Sequence, residues 1–236
     1  SKYNITAISI SIGDGGNYDS TDCPSWMDSV IDAARRQGII VTISSGNDGH
    51  KDGISYPACS ENATAVGSVD KNGAVPSYSN TGALLDLLAP GGTPTVGIVS
   101  TARGGGFEER YGTSMAAPHV AAAAALLRQF ARLQDNASLL AEEIIIALTG
   151  TGTDVTDSGL SFSLINIYEA INSIDTKGPT ISVIDPPDMF STTSLGYTIR
   201  AQSNERLAVA LLEINSTNLS MQGSANNWNY TLTGGN

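Results

Sequence analysis

Basic side chains are scarce in this sequence: 12 lysines and arginines stand against 23 aspartates and glutamates over 236 residues, a formal net charge of −11. A nucleic-acid partner requires a basic patch to neutralise phosphates, and only Arg35-Arg36 stand together, so that class is excluded. That pair suits an exposed helix end, where cations favour the dipole. No apolar run approaches the roughly eighteen residues of a membrane helix, so any anchor lies outside this sequence. Two cysteines, Cys23 and Cys59, permit a single intramolecular bridge, and two histidines, His50 and His119, are the only imidazoles available for proton transfer. Charged residues are 15% and hydrophobic ones 41% of the chain, enough apolar material for a sizeable core.

What is present is concentrated in one segment, Gly112-Thr113-Ser114-Met115-Ala116-Ala117-Pro118-His119-Val120, followed by an alanine-rich apolar run to Leu127. It places a serine at the start of a buried helix, where unpaired N–H groups and the positive end of the dipole stabilise developing negative charge. Helix capping by Thr113 or Ser114 is the plainer use of such residues. The whole nonapeptide, however, resembles the nucleophile segment of subtilisin-like serine peptidases, which identifies Ser114 as the nucleophile and Thr113 as support for its turn.

Other motifs extend the resemblance over roughly residues 5–173. The β-branched run at residues 39–43 reads as a buried strand opening into Ser44-Ser45-Gly46-Asn47-Asp48-Gly49. An Asn among glycines is ordinarily a turn residue, but the resemblance makes Asn47, 67 residues before Ser114, the source of the oxyanion-hole amide. Ser9-Ile10-Ser11-Ile12-Gly13 is similar to the strand whose edge pairs with substrate, so Ser11, Ile12 and Gly13 join Ser44, Ser45 and Gly46 as substrate-aligning residues. Tyr56-Pro57-Ala58 resembles a wall of the specificity pocket. The resemblance thus implies an endopeptidase that cleaves protein or peptide substrates through an acyl-enzyme, with no cofactor in the chemistry. Calcium is common in the family; carbonyls near Ala58 are compatible with a weak site, and no metal residues are assigned.

The triad logic also needs a histidine oriented by a carboxylate. His119 lies five residues after Ser114 on the same helix, a spacing that does not face two side chains together, and is similar to a structural helix histidine of the family. His50 sits in a Gly/Asp-rich loop without an H-G-T-H setting and reads as a surface residue. Asp157-Ser158-Gly159 imitates the family's aspartate motif but follows the serine, lacks a preceding apolar strand and reads as part of a Gly-rich loop. In the family Asp and His lie further upstream of Asn47 than the 46 residues here, so both are expected outside this sequence. The expectation is a front-truncated piece of a longer precursor; the alternative is a catalytically dead adhesion or scaffold protein on the same fold.

Strands are expected at residues 5–12, 39–44, 63–69 and 96–101. Helices are expected from Pro24 to Gly38 with Trp26, Met27, Val30, Ile31 and Ala34 on one face, along the Ser114 segment, and at residues 139–148 and 167–171. Such alternation argues for an α/β fold, an open, mostly parallel sheet with helices on both faces. Composition shifts at residues 175–179, giving a peptidase domain over 1–175 and an appendage over 179–236. Four strands there, at 180–184, 196–201, 208–214 and 228–232, suit the beginning of a β-sandwich, with an immunoglobulin-like one as a candidate. Cys23 and Cys59 lie beside element ends expected to meet at one sheet edge. A disulfide is therefore favoured over two buried thiols, and with it an oxidising, extracellular or cell-surface setting. Sequons at Asn4, Asn62, Asn136, Asn215, Asn218 and Asn229 are compatible with secretion. A monomer is expected.

Overall fold

The computed structural model describes residues 5–135, 138–175, 181–185, 197–203, 211–214, 217–224 and 227–232. The chain divides into two compact units, residues 1–176 and 177–236. In the first, β1 (Ala7–Ile10), α1 (Asp28–Arg36), β2 (Ile40–Ser44), β3 (Thr64–Val69) and β4 (Leu87–Pro90) are followed by a hairpin of β5 (Ile98–Thr101) and β6 (Phe107–Arg110). Then come α2 (Thr113–Asp135), α3 (Ala141–Gly150), β7 (Thr153–Asp157), β8 (Leu160–Leu164) and α4 (Ile167–Ile174). One six-stranded sheet has the order β1-β2-β3-β4-β8-β7. All its pairs are parallel except β7 with β8.

Both faces of the sheet are covered, as the alternation of elements implies. Every residue of β2 is buried, and successive side chains point to opposite faces. Ile40 packs with Val66, Leu87, Ala116, Ala117, Val120, Ala124 and Leu127 on the α2 side, while Val41 and Ile43 pack with Ile31, Ala65, Leu88 and Tyr56 on the α1 side. The small alanines let α2 lie close across the sheet. That placement carries its first turn to the carboxyl ends of β1 and β2, where sites of parallel sheets form. At the other flank, the far edge of β1 has no strand partner among the described residues, and Ile8 beside it is exposed.

Two expectations change in detail. Helix α1 begins at Asp28, four residues after Pro24; ahead of it the Met27 N–H donates to the Tyr56 hydroxyl (2.5 Å) and the Asp28 N–H to Ser25 O (3.3 Å). The buried face is then set by Ile31, with Met27 and Ala34 beside it, leaving Trp26 and Val30 exposed. Asp157, expected in a loop, ends strand β7, whose residues are polar except Val155 because it is a sheet edge. Ser158 (φ 50°) and Gly159 (φ 83°) make the tight turn into β8, the paired left-handed geometry that two-residue hairpins favour.

Cys23 and Cys59 are joined by a disulfide spanning 36 residues. It ties the loop before α1 to the loop following Tyr56. A crosslink of that span restricts the unfolded chain by about 3–4 kcal/mol in the chain-entropy account. Cys23→Ala/Cys59→Ala should therefore lower the urea midpoint of unfolding clearly. An unchanged midpoint would count against the chain-entropy account of this crosslink.

At the amino ends of β3 and β4, opposite the site, the Asp86 carboxylate accepts the Ala65 N–H (2.7 Å). Burial pushes its carboxyl up to about 6, against the pull of the Ala65 N–H and Arg35 and with a further push from Glu142. Arg35 and Glu142 are themselves paired at 2.5 Å. A raised acid means that the folded state holds more protons than the unfolded chain between pH about 4 and 6, so stability falls as pH rises through that window. Asp86 as a residue still reaches solvent, which tempers the effect. Asp86→Asn keeps an acceptor for Ala65, and should flatten the difference between urea midpoints at pH 4.5 and 7; an equal slope in both proteins would assign it to other groups.

The second unit contains β9 (Ile181–Asp185), β10 (Tyr197–Ser203), β11 (Leu211–Ile214), β12 (Thr217–Ser220), β13 (Gln222–Ser224) and β14 (Asn227–Leu232). They form an antiparallel four-stranded sheet, β13-β14-β10-β9, and the hairpin β11-β12. The four expected strands are matched in position, but a stacked sandwich is not established. The boundary residues 176–180, residues 196 and 208–210 of the expected strands, and Asn4, Asn136 and Asn215 lie outside the described residues.

Candidate active site

Three chain segments meet at the carboxyl end of the sheet. Strand β1 runs into Ser11-Ile12-Gly13, β2 ends at Ser44 and opens into Ser45-Gly46-Asn47, and the β5–β6 hairpin leads through Gly112 into Thr113 and Ser114 of α2. The β1 end is tied to the helix start, since Ser11 Oγ donates to Ser114 O at 2.8 Å.

The join between β2 and α2 is made by Thr113 and Asn47. Thr113 is fully buried. Its N–H donates to Asn47 Oδ1 at 2.9 Å and its hydroxyl lies 3.0 Å from the same oxygen. The hydroxyl also sits 3.3 Å from both Gly46 N and Gly46 O. The helix's first N–H, which has no acceptor within the helix, is thus satisfied by a side-chain oxygen from another segment. With its oxygen spent on Thr113, Asn47 presents its carboxamide NH2, and the residue is exposed. Ser114 follows in the first helical turn and is partly exposed, so its N–H and hydroxyl lie where helix-terminal donors collect.

Open space surrounds the serine. A cavity of about 590 Å³ is lined by Ser11, Glu109, Arg110, Tyr111, Ser114 and Met115. A second, of about 360 Å³ and mostly apolar, runs from Ser114 past Met115 and Pro118 to Ile98 and His119. Another of about 590 Å³ lies away from Ser114, between Val69, Pro90 and Ile167; it shares only Ile98 and His119 with the space around the serine.

On the other side of Asn47, Ser44, Ser45, Gly46, Tyr56 and Ala58 are all buried, as is Pro57, which follows a cis peptide bond. Trp26 stacks obliquely on Tyr56, with ring centroids 5.2 Å apart. Gly13 lies against Ser55, where an added Cβ would meet the serine Cβ at 3.2 Å. Sequence reasoning does not single out Asp14, whose carboxylate accepts from Gly16 N (2.9 Å), Tyr56 N (3.2 Å) and Tyr18 OH (2.9 Å). The last of these bonds raises the Tyr18 phenol above its ordinary range. Asp14 thereby joins the Ser11–Gly13 segment to the Tyr56 loop. Nor does it single out Asn80, a buried side chain behind Gly46. No motif marks either residue: one is an acid between glycines, the other an Asn in a Ser/Thr/Gly turn.

Among the described residues neither histidine is bonded to Ser114. His119 Nδ1 is bonded to Met115 O of its own helix (2.7 Å). The backbone of His50 is held by Asn80 Oδ1 (3.0 Å) and Thr81 N (2.8 Å), and the residue is half-buried, less exposed than its loop suggests. Among the described residues no side chain hydrogen-bonds the Ser114 hydroxyl. Asp157 pairs with Lys51 (3.2 Å) and accepts from Thr81 (2.8 Å), a structural tether between the β7–β8 hairpin and the loop after Asn47. Among the described residues no three histidine, cysteine or acidic side chains converge on a metal position.

The profile described as the subtilase family matches residues 2–166. Subtilisin BL of Lederbergia lenta is 45% identical over 103 residues, covering 44% of this chain and 36% of that protein. The thermophilic serine proteinase of Bacillus sp. (strain AK1) is 36% identical over 151 residues, covering 64% of this chain and 35% of that protein. Among solved structures, that of proteases from Pseudoalteromonas arctica PAMC 21717 superimposes with a TM-score of 0.59 at 30% identity, over 70% of this chain and 50% of that one. The prenylagaramide maturation protease PagA gives a TM-score of 0.61 at 26% identity, over 71% and 61% of the two chains. The chain spans about a third of the length of these two curated relatives.

Proposed function

The chain belongs to the subtilase family, and from that premise we propose that it carries the nucleophile and oxyanion hole of a serine endopeptidase. The observation that supports this reading is the Thr113 N–H to Asn47 Oδ1 bond of 2.9 Å, which holds the Asn47 oxygen at the helix start and would leave its carboxamide NH2 as the donor for the oxyanion. Ser11-Ile12-Gly13 and Ser44-Ser45-Gly46 would align the substrate as an added strand, with Tyr56-Pro57-Ala58 walling the specificity pocket. Ser114 Oγ attacks the scissile carbonyl carbon as its proton passes to a base; the carbonyl oxygen becomes an oxyanion held by Asn47 Nδ2 and the Ser114 N–H. Collapse of the tetrahedral intermediate breaks the C–N bond, the base returns the proton to the leaving amine, and water then releases the acyl group by the same route.

The base and its orienting carboxylate are assigned to residues outside this sequence, because the His119 ring is bonded to Met115 O and neither histidine bonds the Ser114 hydroxyl among the described residues. Residues 177–236 would form an appendage to the peptidase unit, and the Cys23–Cys59 bridge supports an extracellular or cell-surface setting. The test is covalent: in the full-length protein a serine-directed fluorophosphonate should label Ser114, with Ser114→Ala as the blank. Labelling that survives the substitution would assign the nucleophile elsewhere.

A further inference from the structure

We infer that Asn80 is a positioning residue for the oxyanion hole, acting through the backbone of Asn47 and its neighbours; this rests on the reading of Asn47 above. Asn80 has no solvent exposure, yet its side chain and backbone are bonded to Ser45, Gly46, Asp48 and His50 of the loop that presents Asn47. Its Oδ1 accepts both the Asp48 N–H (2.9 Å) and the His50 N–H (3.0 Å). Its N–H donates to Gly46 O (3.1 Å), its carbonyl accepts from Ser45 Oγ (2.9 Å), and its Nδ2 donates to Ser55 Oγ (3.2 Å).

The physical need is specific. The chain leaves β2 and turns away at Gly46 with φ +111°, so the N–H groups beyond the turn lose their ladder partners and require acceptors. One carboxamide oxygen has two lone pairs and serves two of them. The Asp48 N–H belongs to the peptide plane that begins at Asn47, so fixing it fixes the orientation of the Asn47 backbone, from which the side chain departs. Thr113 holds the same residue at the far end of its carboxamide. Asn47 is thus clamped at both ends, by Asn80 on the backbone side and by Thr113 on the oxygen side, leaving Nδ2 with one direction in which to donate. The fit is close enough to exclude a side chain at Gly46: an added Cβ would lie 2.3 Å from both Asn80 Nδ2 and Ser55 Oγ.

Asn80 touches no reacting atom, so its loss should act on turnover only by loosening a donor that the transition state uses. Misplacement of a catalytic group by about 1 Å can cost on the order of 100-fold. In the full-length protein, Asn80→Ala should lower kcat by about 10- to 100-fold on that scale with little change in KM. In an Asn47→Ala background the same substitution should cost almost nothing more, because the donor it positions is already gone. Asn80→Asp retains acceptors for Asp48 and His50 and should recover most of the lost kcat. It also supplies a folded comparison should the alanine variant be unstable, and thermal melts report that separately. Backbone hydrogen exchange offers a readout free of turnover: the Asp48 and His50 amides should exchange faster in Asn80→Ala than in Asn80→Asp.

Equal losses from Asn80→Ala with and without Asn47 would make Asn80 a fold residue and overturn the inference, as would wild-type kcat in a folded Asn80→Ala. Wild-type kcat in Asn47→Ala, or no turnover by the wild type, would instead remove the oxyanion reading on which the inference stands.

Discussion

Expressed alone, the 236-residue chain should hydrolyse peptides at no more than about one millionth of the rate of the full-length protein, and its serine should label correspondingly slowly with a fluorophosphonate. The magnitude is that measured in subtilisin itself, a family relative, where loss of the histidine costs about 10⁶ in turnover. A serine hydroxyl is a poor nucleophile until a base takes its proton. In this chain the His119 ring is bonded to Met115 O (2.7 Å) and His50 is built into the loop behind Asn47. On the proposed reading, what remains, helix-terminal N–H groups and the Asn47 donor, would stabilise the oxyanion without generating the attacking alkoxide. Such a remnant typically retains about 10³–10⁴ over water, so weak Ser114-dependent turnover is compatible with the account. Labelling at the full-length rate, abolished by Ser114→Ala, is not, and would mean that His119, His50 or a lysine moves in to act as base. His119 is the first to substitute in that event, because it and Ser114 line the same cavity of about 360 Å³.

The parts of the site that can be read in the sequence are those whose chemistry is local. Ser114 stands in a contiguous nonapeptide at a helix start, and Asn47 follows a β-branched strand that could only be buried; both positions then follow from the parallel α/β arrangement. The partnership of Thr113 with Asn47 is not local, since it joins residues 66 apart. Asn80 is invisible for the same reason: alone among Ser, Thr and Gly it cannot be told from a turn residue, and its meaning comes from a loop 30 or more residues earlier.

The same division runs through the fold. Strands with β-branched or apolar runs, such as β2 and β3, are legible. Short β4, ending in Pro90, and the polar edge strand β7 are not, because the first, Leu-Leu-Ala-Pro, has no β-branched residue and the second has little apolar alternation to detect. Helix α1 is legible as a helix, but its inward face is narrower than its apolar residues suggest. Trp26 precedes the helix and Val30 flanks its buried stripe, so hydrophobicity alone overstates the core by two residues.

Replacing Asn47 by alanine in the full-length protein should lower kcat by about 10²–10³ while leaving KM for a small peptide nearly unchanged; the size is that found for the equivalent deletion in subtilisin, so it is carried over from a relative. The asymmetry between kcat and KM follows from timing. The ground-state carbonyl oxygen carries little charge, whereas the tetrahedral intermediate carries a full negative charge, and only an interaction that strengthens on the way to it changes turnover. Alanine also removes the oxygen that accepts from the Thr113 N–H and hydroxyl, so a loss through disturbance of the helix start must be distinguished from loss of the donor. Asn47→Asp makes that distinction, because it keeps an acceptor for Thr113 while substituting an anionic oxygen for the donating NH2. If the donor matters, the aspartate variant should be as slow as the alanine variant or slower at neutral pH, where its charge opposes the oxyanion, although its helix start is intact. If instead the aspartate variant turns over like wild type and only alanine is slow, Asn47 serves as an anchor for Thr113 and the oxyanion is held elsewhere.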